Sequence, residues 1–494
     1  MIDNRMGDNR MEDKENYLST LNERQLDAVT TTEGYVRIIA GAGTGKTKAL
    51  THRYAYLVNE LGISTSNISC VTFTNKAARE MSKRIRQMIG DSDTGYICTF
   101  HGFCVKLLRE DIHAINFPQN FVVMDDEDTE EILKTVYENA HIQSRTYTFD
   151  SARDHITALK SQMLHIPYLA EIGNEKLLAD YEKAEKVEDK VFLGYLYEQK
   201  KVYGLDYDDL ITIALYILQT DETKRIKWQE RMMYVMVDEF QDVSNSQYAL
   251  AEILSGYHRN LFIVGDPDQT IYTWRGAQIE YILEFDETHE NTRTIFLDMN
   301  YRSTPEILAV SNSLIEKNKK RLPHRLEAYK ESGRRPIYIH SRTTGDEAQW
   351  MTSEIQRLVS EGASYNEMAV LYRSHFVSRN IEESFIKAKI PYTLYSGVEF
   401  YKRKEIKDVL AYLRMIVYSD DLSFRRVINE PKRNFGKKRM ALVKAYAESH
   451  RCSLYNSLLD ILEDKTIKMT GAAAFVDTIE AFKKTYKEKS LSDL

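Results

Sequence analysis

Cysteine is scarce, with four residues in a chain of 494. So few thiols make no disulfide framework, which excludes a small secreted scaffold and points to the cytoplasm. Five residues separate Cys98 from Cys104, and no second close pair completes a tetrahedral zinc set, so both read as buried or incidental thiols. No apolar run approaches the roughly 20 residues that span a bilayer, so no membrane partner is expected. The leader MIDNRMGDNRMEDKENY has no h-region of a secretory signal and reads as disordered over residues 1–17. An overall positive charge is missing too: the net charge is −7. That does not exclude nucleic acid, because phosphates are held by a local basic groove and not by the total. Two stretches are locally basic. Glu316–Arg325 reads EKNKKRLPHR, and Phe400–Met440 carries twelve Lys/Arg against five acids, a local excess of seven. A solvated helix face explains either run as well as DNA does.

The length predicts three or four domains, and 43% hydrophobic with 29% charged residues predicts large globular cores. The first chemistry lies near the start. Tyr35–Ile39 is a short β-branched run that predicts a buried strand. It leads into Ala40, Gly41, Ala42, Gly43, Thr44, Gly45, Lys46 and Thr47, followed by a helical pattern through Leu50, Tyr54 and Leu57. Strand, glycine-rich turn and helix are the context a phosphate loop requires. Its glycines let backbone N–H groups converge on phosphate oxygens, and the helix N-terminus adds its dipole. Lys46 is placed to reach the β- and γ-phosphates of ATP, and the Thr47 hydroxyl to hold Mg²⁺.

Such a loop needs a metal-binding acid on a neighbouring strand. Met232–Val237 is strand-like and ends in Asp238-Glu-Phe-Gln-Asp242. Asp238 is expected to complete the Mg²⁺ shell, and Glu239 to polarise the attacking water. A third predicted strand, Leu261–Val264, ends in Gly265-Asp-Pro-Asp-Gln269, which makes Gln269 a candidate γ-phosphate sensor. Taken singly, each acid-ended strand could be an N-capped helix start. In this order they predict nucleotide hydrolysis on a parallel α/β sheet.

With these runs the chain resembles the UvrD/Rep/PcrA type of superfamily 1 helicase. Further matching runs are Leu21–Gln25, Val71–Ala78, Cys98–Gly102, Leu205–Leu210, GDPDQTIYTWRGA at 265–277, Asn300–Thr304, Val370–Arg373 and Phe400–Asp408, in the family's order. The resemblance implies two RecA-like motor domains with parallel sheets, each carrying a helical insertion. The expected layout is a first motor domain over 18–110 and 205–294, an insertion over 111–204, a second motor domain over 295–391, and an accessory insertion from 392 to 494. Strands are expected at Ile295–Leu297, which would open the second motor domain, and at Ile337–Ile339 and Met368–Tyr372.

The same resemblance assigns roles. Gln25 would read adenine, Tyr301 would stack on it, and Arg302 would be the arginine finger from the second motor domain. Single-stranded DNA would meet Phe73, Phe100, His101, Tyr207, Tyr272, Trp274, Arg275 and Arg373, since aromatic faces bind bases without regard to sequence. Phe73, Phe100 and Tyr207 could equally be core residues, and His101 could bond to backbone. The implied activity is ATP- and Mg²⁺-dependent 3′→5′ movement on single-stranded DNA with unwinding at single-strand/duplex junctions.

Three departures stand out. The family's YRTN is Tyr372-Arg-Ser-His375 here, and its glycine-isoleucine-glycine hairpin is Asn434-Phe-Gly436. The histidine-and-glycine motif and second arginine finger expected after Gly436 are missing, so the second motor domain and its insertion are expected to be incomplete. The alternative is a chain that binds ATP and DNA without productive unwinding. A nuclease-linked subunit ranks low for want of a nuclease-like acid and lysine cluster. A kinase or GTPase is excluded by DEFQD and the aromatic stretch after GDPDQ.

Overall fold

A computed structural model describes residues 17–90, 93–374, 377–395 and 404–488, without the side chains of Arg275 and Glu488. The chain divides into two units, at Arg335 and Pro336. The strands of the first unit are β1 (Tyr35–Ala40), β2 (Ile68–Thr72), β3 (Tyr96–Thr99), β4 (Val122–Val123), β5 (Gly204–Leu205), β6 (Tyr234–Val237), β7 (Leu261–Gly265), β8 (Arg293–Leu297), β9 (Met299–Asn300) and β10 (Glu327–Ala328). Six of them pair in the order β3-β2-β6-β7-β1-β8, all in parallel.

Alternation along each strand builds two cores, one per face of the sheet. Val36 and Ile38 of β1, Met236 of β6 and Phe262 and Val264 of β7 point to one face, against Leu50, Tyr54 and Leu57 of the helix Lys46–Asn59. Ile39, Val235, Val237, Leu261 and Ile263 point to the other, against the helices Phe100–Asp111, Tyr207–Thr220 and Asn245–Ser255. Burial on both faces is why these strands read as continuous apolar runs. It also leaves the carboxyl ends of β1, β6 and β7 as the place where polar loops gather.

Five helices from Asp126 to Lys201 lie between β4 and β5, and these two short strands pair in parallel, so the insertion leaves and rejoins at one point. A buried ion cluster ties it down. Lys160 Nζ, on the insertion helix Phe149–Ser161, lies 2.5 Å from Asp206 Oδ2 and 2.7 Å from Asp209 Oδ1. Those two aspartates form the capping box of the helix Tyr207–Thr220, so the cluster fixes the helix start that carries Tyr207.

The expected strand at Ile295–Leu297 does form, but not as the first strand of a second sheet. β8 pairs with β1, from Val36 opposite Arg293 to Ala40 opposite Leu297, and completes the first sheet. The runs Ile337–Ile339 and Met368–Tyr372, expected as strands, carry no ladder among the described residues. Without a ladder, Ile337 is 71%, Tyr338 87% and Leu371 93% exposed, while Val370 and Tyr372 pack against the core around Ile381 and Phe385.

In the second unit, the helices Thr344–Ser360 and Ser378–Lys387 close over Ala348, Ile381, Phe385 and Ile390. The helices from Lys404 to Thr485 enclose Met415, Phe424, Val443, Tyr455, Phe475 and Ile479. Much of the local cation excess is spent inside this unit. Arg426 pairs with Asp408 at 2.8 Å and Arg414 with Asp420 at 3.2 Å, while Arg433 donates to the carbonyls of Val427 and Glu430. Lys432, Lys437 and Lys438 are exposed. Asn434 adopts φ 56°, the left-handed region where glycine is usual, and Phe435 is buried in the core. The Asn-Phe-Gly departure therefore keeps a glycine-like turn.

Candidate functional site

The phosphate loop leaves the end of β1 and enters the helix Lys46–Asn59 through Gly45 at φ 93°, with Gly43 at φ 73°. Both need glycine twice over, for the left-handed backbone and for space. A Cβ at Gly43 would lie 2.6 Å from Arg302 Cβ, and one at Gly45 2.5 Å from Gln25 Nε2. Successive loop carbonyls are each held from outside. The Ala42 carbonyl accepts from Asn300 Nδ2 at 2.5 Å, Gly43 from the Tyr301 N–H at 2.9 Å, and Thr44 from Gln25 Nε2 at 2.9 Å.

Lys46, Thr47, Asp238, Glu239 and Gln269 converge at the carboxyl ends of β1, β6 and β7. Lys46 Nζ lies 3.1 Å from Glu239 Oε2. Glu239 has φ 50°, a strained conformation for a residue with a side chain, costing about 1–3 kcal/mol. Gln241 Nε2 donates to Glu239 Oε2 at 2.9 Å, and its Oε1 accepts the Asp266 N–H at 2.9 Å, so the glutamate is linked to the loop that carries Gln269.

Asp238 fits a divalent cation. Its Oδ1 is buried without a hydrogen-bond partner, and burial with the neighbouring Glu239 charge pushes its carboxyl up to about 6. A cation would compensate both, with the Thr47 hydroxyl on the same cleft as second ligand. Asp242 is raised to about 6 by the same causes.

Beside the loop, Asn22 caps the helix Glu23–Thr30, and its Nδ2 donates to the Tyr301 hydroxyl at 2.7 Å. Gln25 Oε1 accepts the Asn22 N–H at 3.2 Å. With one donor engaged on Thr44, one amide hydrogen and one acceptor site of Gln25 are left over. The Arg302 side chain is exposed, and the Arg302 backbone N–H donates to Asn300 Oδ1 at 2.9 Å. Asn22, Gln241 and Asn300 were not singled out from the sequence, although all three lie inside matched motifs.

A cleft of about 310 Å³ runs from Thr47, Asp238 and Glu239 past Gln269 to Phe73 and Tyr272. There the Phe73 and Tyr272 rings stack with centroids 5.0 Å apart, and Tyr272 neighbours Trp274, which is 65% exposed. His101 and the exposed Tyr207 form an edge-to-face pair at 5.5 Å. Burial lowers the pKa of His101, which favours a neutral ring. Phe100 must be removed from the DNA-facing set: it is 4% exposed and packs in the core beneath the sheet, so it offers no face to a base. Arg373 is exposed in the second unit, His375 lies outside the described residues, and so does the side chain of Arg275.

The parallel sheet and the loop at the end of β1 define the class, a P-loop α/β protein. Residues 21–290 match the UvrD/REP helicase N-terminal domain, and residues 295–492 match the UvrD-like helicase C-terminal domain. The chain belongs to the UvrD/Rep helicase family. It is 40% identical over 443 residues to the ATP-dependent DNA helicase PcrA of Staphylococcus aureus, covering 89% of this chain and 60% of that protein. It is 39% identical over 446 residues to the protein of the same name from Staphylococcus epidermidis, covering 90% and 60%. The chain thus spans about 60% of the length of the curated relatives it matches. The C-terminal family match reaches residue 492, so the comparison does not mark the second domain as incomplete. No helix among the described residues is long and apolar enough to cross a membrane.

Proposed function

We propose that this chain carries the ATP-hydrolysing core of a 3′→5′ DNA helicase that moves on single-stranded DNA and opens single-strand/duplex junctions. The observation that carries the reading is the shared cleft. It joins the carboxylates of β6 to the stacked Phe73 and Tyr272, so an event at the phosphates reaches the base platform through a few side chains. Lys46 and the loop N–H groups bind the β- and γ-phosphates of ATP. Thr47 and Asp238 hold Mg²⁺, which neutralises phosphate charge. Glu239 takes the proton of the attacking water, Gln269 senses the γ-phosphate, and Arg302 stabilises the charge that develops on it. Gln25 and Tyr301 hold the adenine. Phe73, Tyr272 and Trp274, with His101 and Tyr207, carry the DNA, and Arg275 and Arg373 add cations for its backbone.

A second reading is favoured by one observation. Ile337–Ile339 and Met368–Tyr372 carry no ladder among the described residues, and Ile337, Tyr338 and Leu371 are exposed. A second motor domain in that condition would bind ATP and DNA yet couple them poorly. Strand separation on tailed duplexes decides between the two. A 3′-tailed duplex opened in the presence of ATP, with a 5′-tailed one left intact, is expected of the helicase. Near-background turnover with intact nucleotide binding would favour the second reading, and preference for the 5′ tail would refute the polarity.

A further inference from the structure

Asn300 has no role in the reading above, although it sits between two groups that do. It is 1% exposed, and three of its four hydrogen-bonding positions are in use. Oδ1 accepts the N–H groups of Arg302 at 2.9 Å and Ser303 at 2.7 Å, and Nδ2 donates to the Ala42 carbonyl at 2.5 Å. One amide therefore holds the turn that presents Arg302 and, on its other edge, the phosphate loop. The approach is close enough that a Cβ at Gly43 would lie 2.9 Å from Asn300 Nδ2. The neighbouring Tyr301 N–H holds the Gly43 carbonyl at 2.9 Å. In a trans peptide the carbonyl of one residue and the N–H of the next point in opposite directions. Donors on the carbonyls of Ala42 and Thr44 thereby aim the N–H groups of Gly43 and Gly45 away from Asn300 and Gln25, as a phosphate nest needs, while the Thr44 N–H donates to the Gly41 carbonyl at 3.4 Å.

We propose that Asn300 is a positioning residue of the nucleotide site, setting the phosphate loop with its donor edge and the Arg302 turn with its acceptor edge. The inference rests on the proposed ATP site and divides into two measurable halves. The loop half serves any nucleotide with a β-phosphate, so its loss weakens ADP and ATP alike. The turn half acts through Arg302 on the γ-phosphate, so its loss weakens ATP alone.

The test is equilibrium titration with ADP and with a non-hydrolysable ATP analogue, both with Mg²⁺, which reads the site without any need for turnover. Asn300→Leu keeps the volume and loses both edges. It is expected to weaken ADP by about fivefold, one lost hydrogen bond, and the ATP analogue by about tenfold beyond that, a lost charged contact. Asn300→Asp keeps the acceptor edge and loses the donor. It is expected to weaken both nucleotides while leaving their ratio near that of the wild type. In an Arg302→Ala background, Asn300→Leu should weaken the two ligands equally. Asn300→Leu that melts like the wild type and binds both ligands with wild-type affinity would overturn the proposal, as would an equal loss for ADP and the ATP analogue in both single variants. A wild-type chain that binds neither nucleotide would instead overturn the ATP site itself.

Discussion

Lys46→Ala is expected to weaken Mg²⁺-ATP binding by roughly 30- to 150-fold, the equivalent of about 2–3 kcal/mol for one partner of a charged pair. Two effects add. The substitution removes the ammonium proposed to face the β- and γ-phosphates, and it leaves the Glu239 carboxylate, its partner at 3.1 Å, without a cation in front of an anionic ligand. Glu239 is partly open to solvent, which screens the repulsion and keeps the loss in the lower part of the usual range. Titration with a fluorescent ATP analogue in the presence of Mg²⁺ measures it. Unchanged affinity would mean that residues 40–47 are a glycine turn and not a phosphate loop.

Glu239→Gln should do the opposite. Loss of a general base typically costs about 10²–10⁴ in rate, and nucleotide affinity should stay within a few-fold of the wild type. The amide fills the same space and accepts the Gln241 hydrogen bond, but cannot take a proton from water. Lys46, freed from its ion pair, is then available to phosphate alone. Single-turnover measurements on preloaded ATP separate the two steps. Equal loss of binding in the Lys46 and Glu239 variants would remove the division of labour between them.

The parts legible in the sequence are those in which chemistry and local structure share one short run. The β1–loop–helix unit is local, and so are the carboxylates that end β6, because a strand buried on both faces announces itself as an apolar run. What was not legible depends on partners far away in the chain. Ile295–Leu297 reads as a strand from its own residues, but nothing local says that it pairs with Val36–Ala40. Phe73 and Phe100 each follow a strand end, yet one stacks on Tyr272 and the other starts a helix whose inner face is core. Ile337–Ile339 has the composition of a strand, but a strand is a property of a pair. The contacts of Asn22 with Tyr301 and of Asn300 with Ala42 likewise join segments more than 250 residues apart, beyond any local pattern.

Coupling between the phosphate loop and the aromatic platform is the central claim, and a titration of labelled single-stranded oligonucleotide with and without a non-hydrolysable ATP analogue tests it most directly. Linkage requires the nucleotide to change DNA affinity, typically by about 5- to 150-fold, and the DNA to change nucleotide affinity by the same factor. The DNA affinity should also fall steeply with salt, because phosphate contacts release counterions. In Trp274→Ala it should drop by about 1–3 kcal/mol, the loss of one stacking face, with little dependence on sequence. Superimposable curves with and without nucleotide, together with wild-type affinity in Trp274→Ala, would contradict the account: the cleft would then join nothing, and the exposed tryptophan would serve another partner.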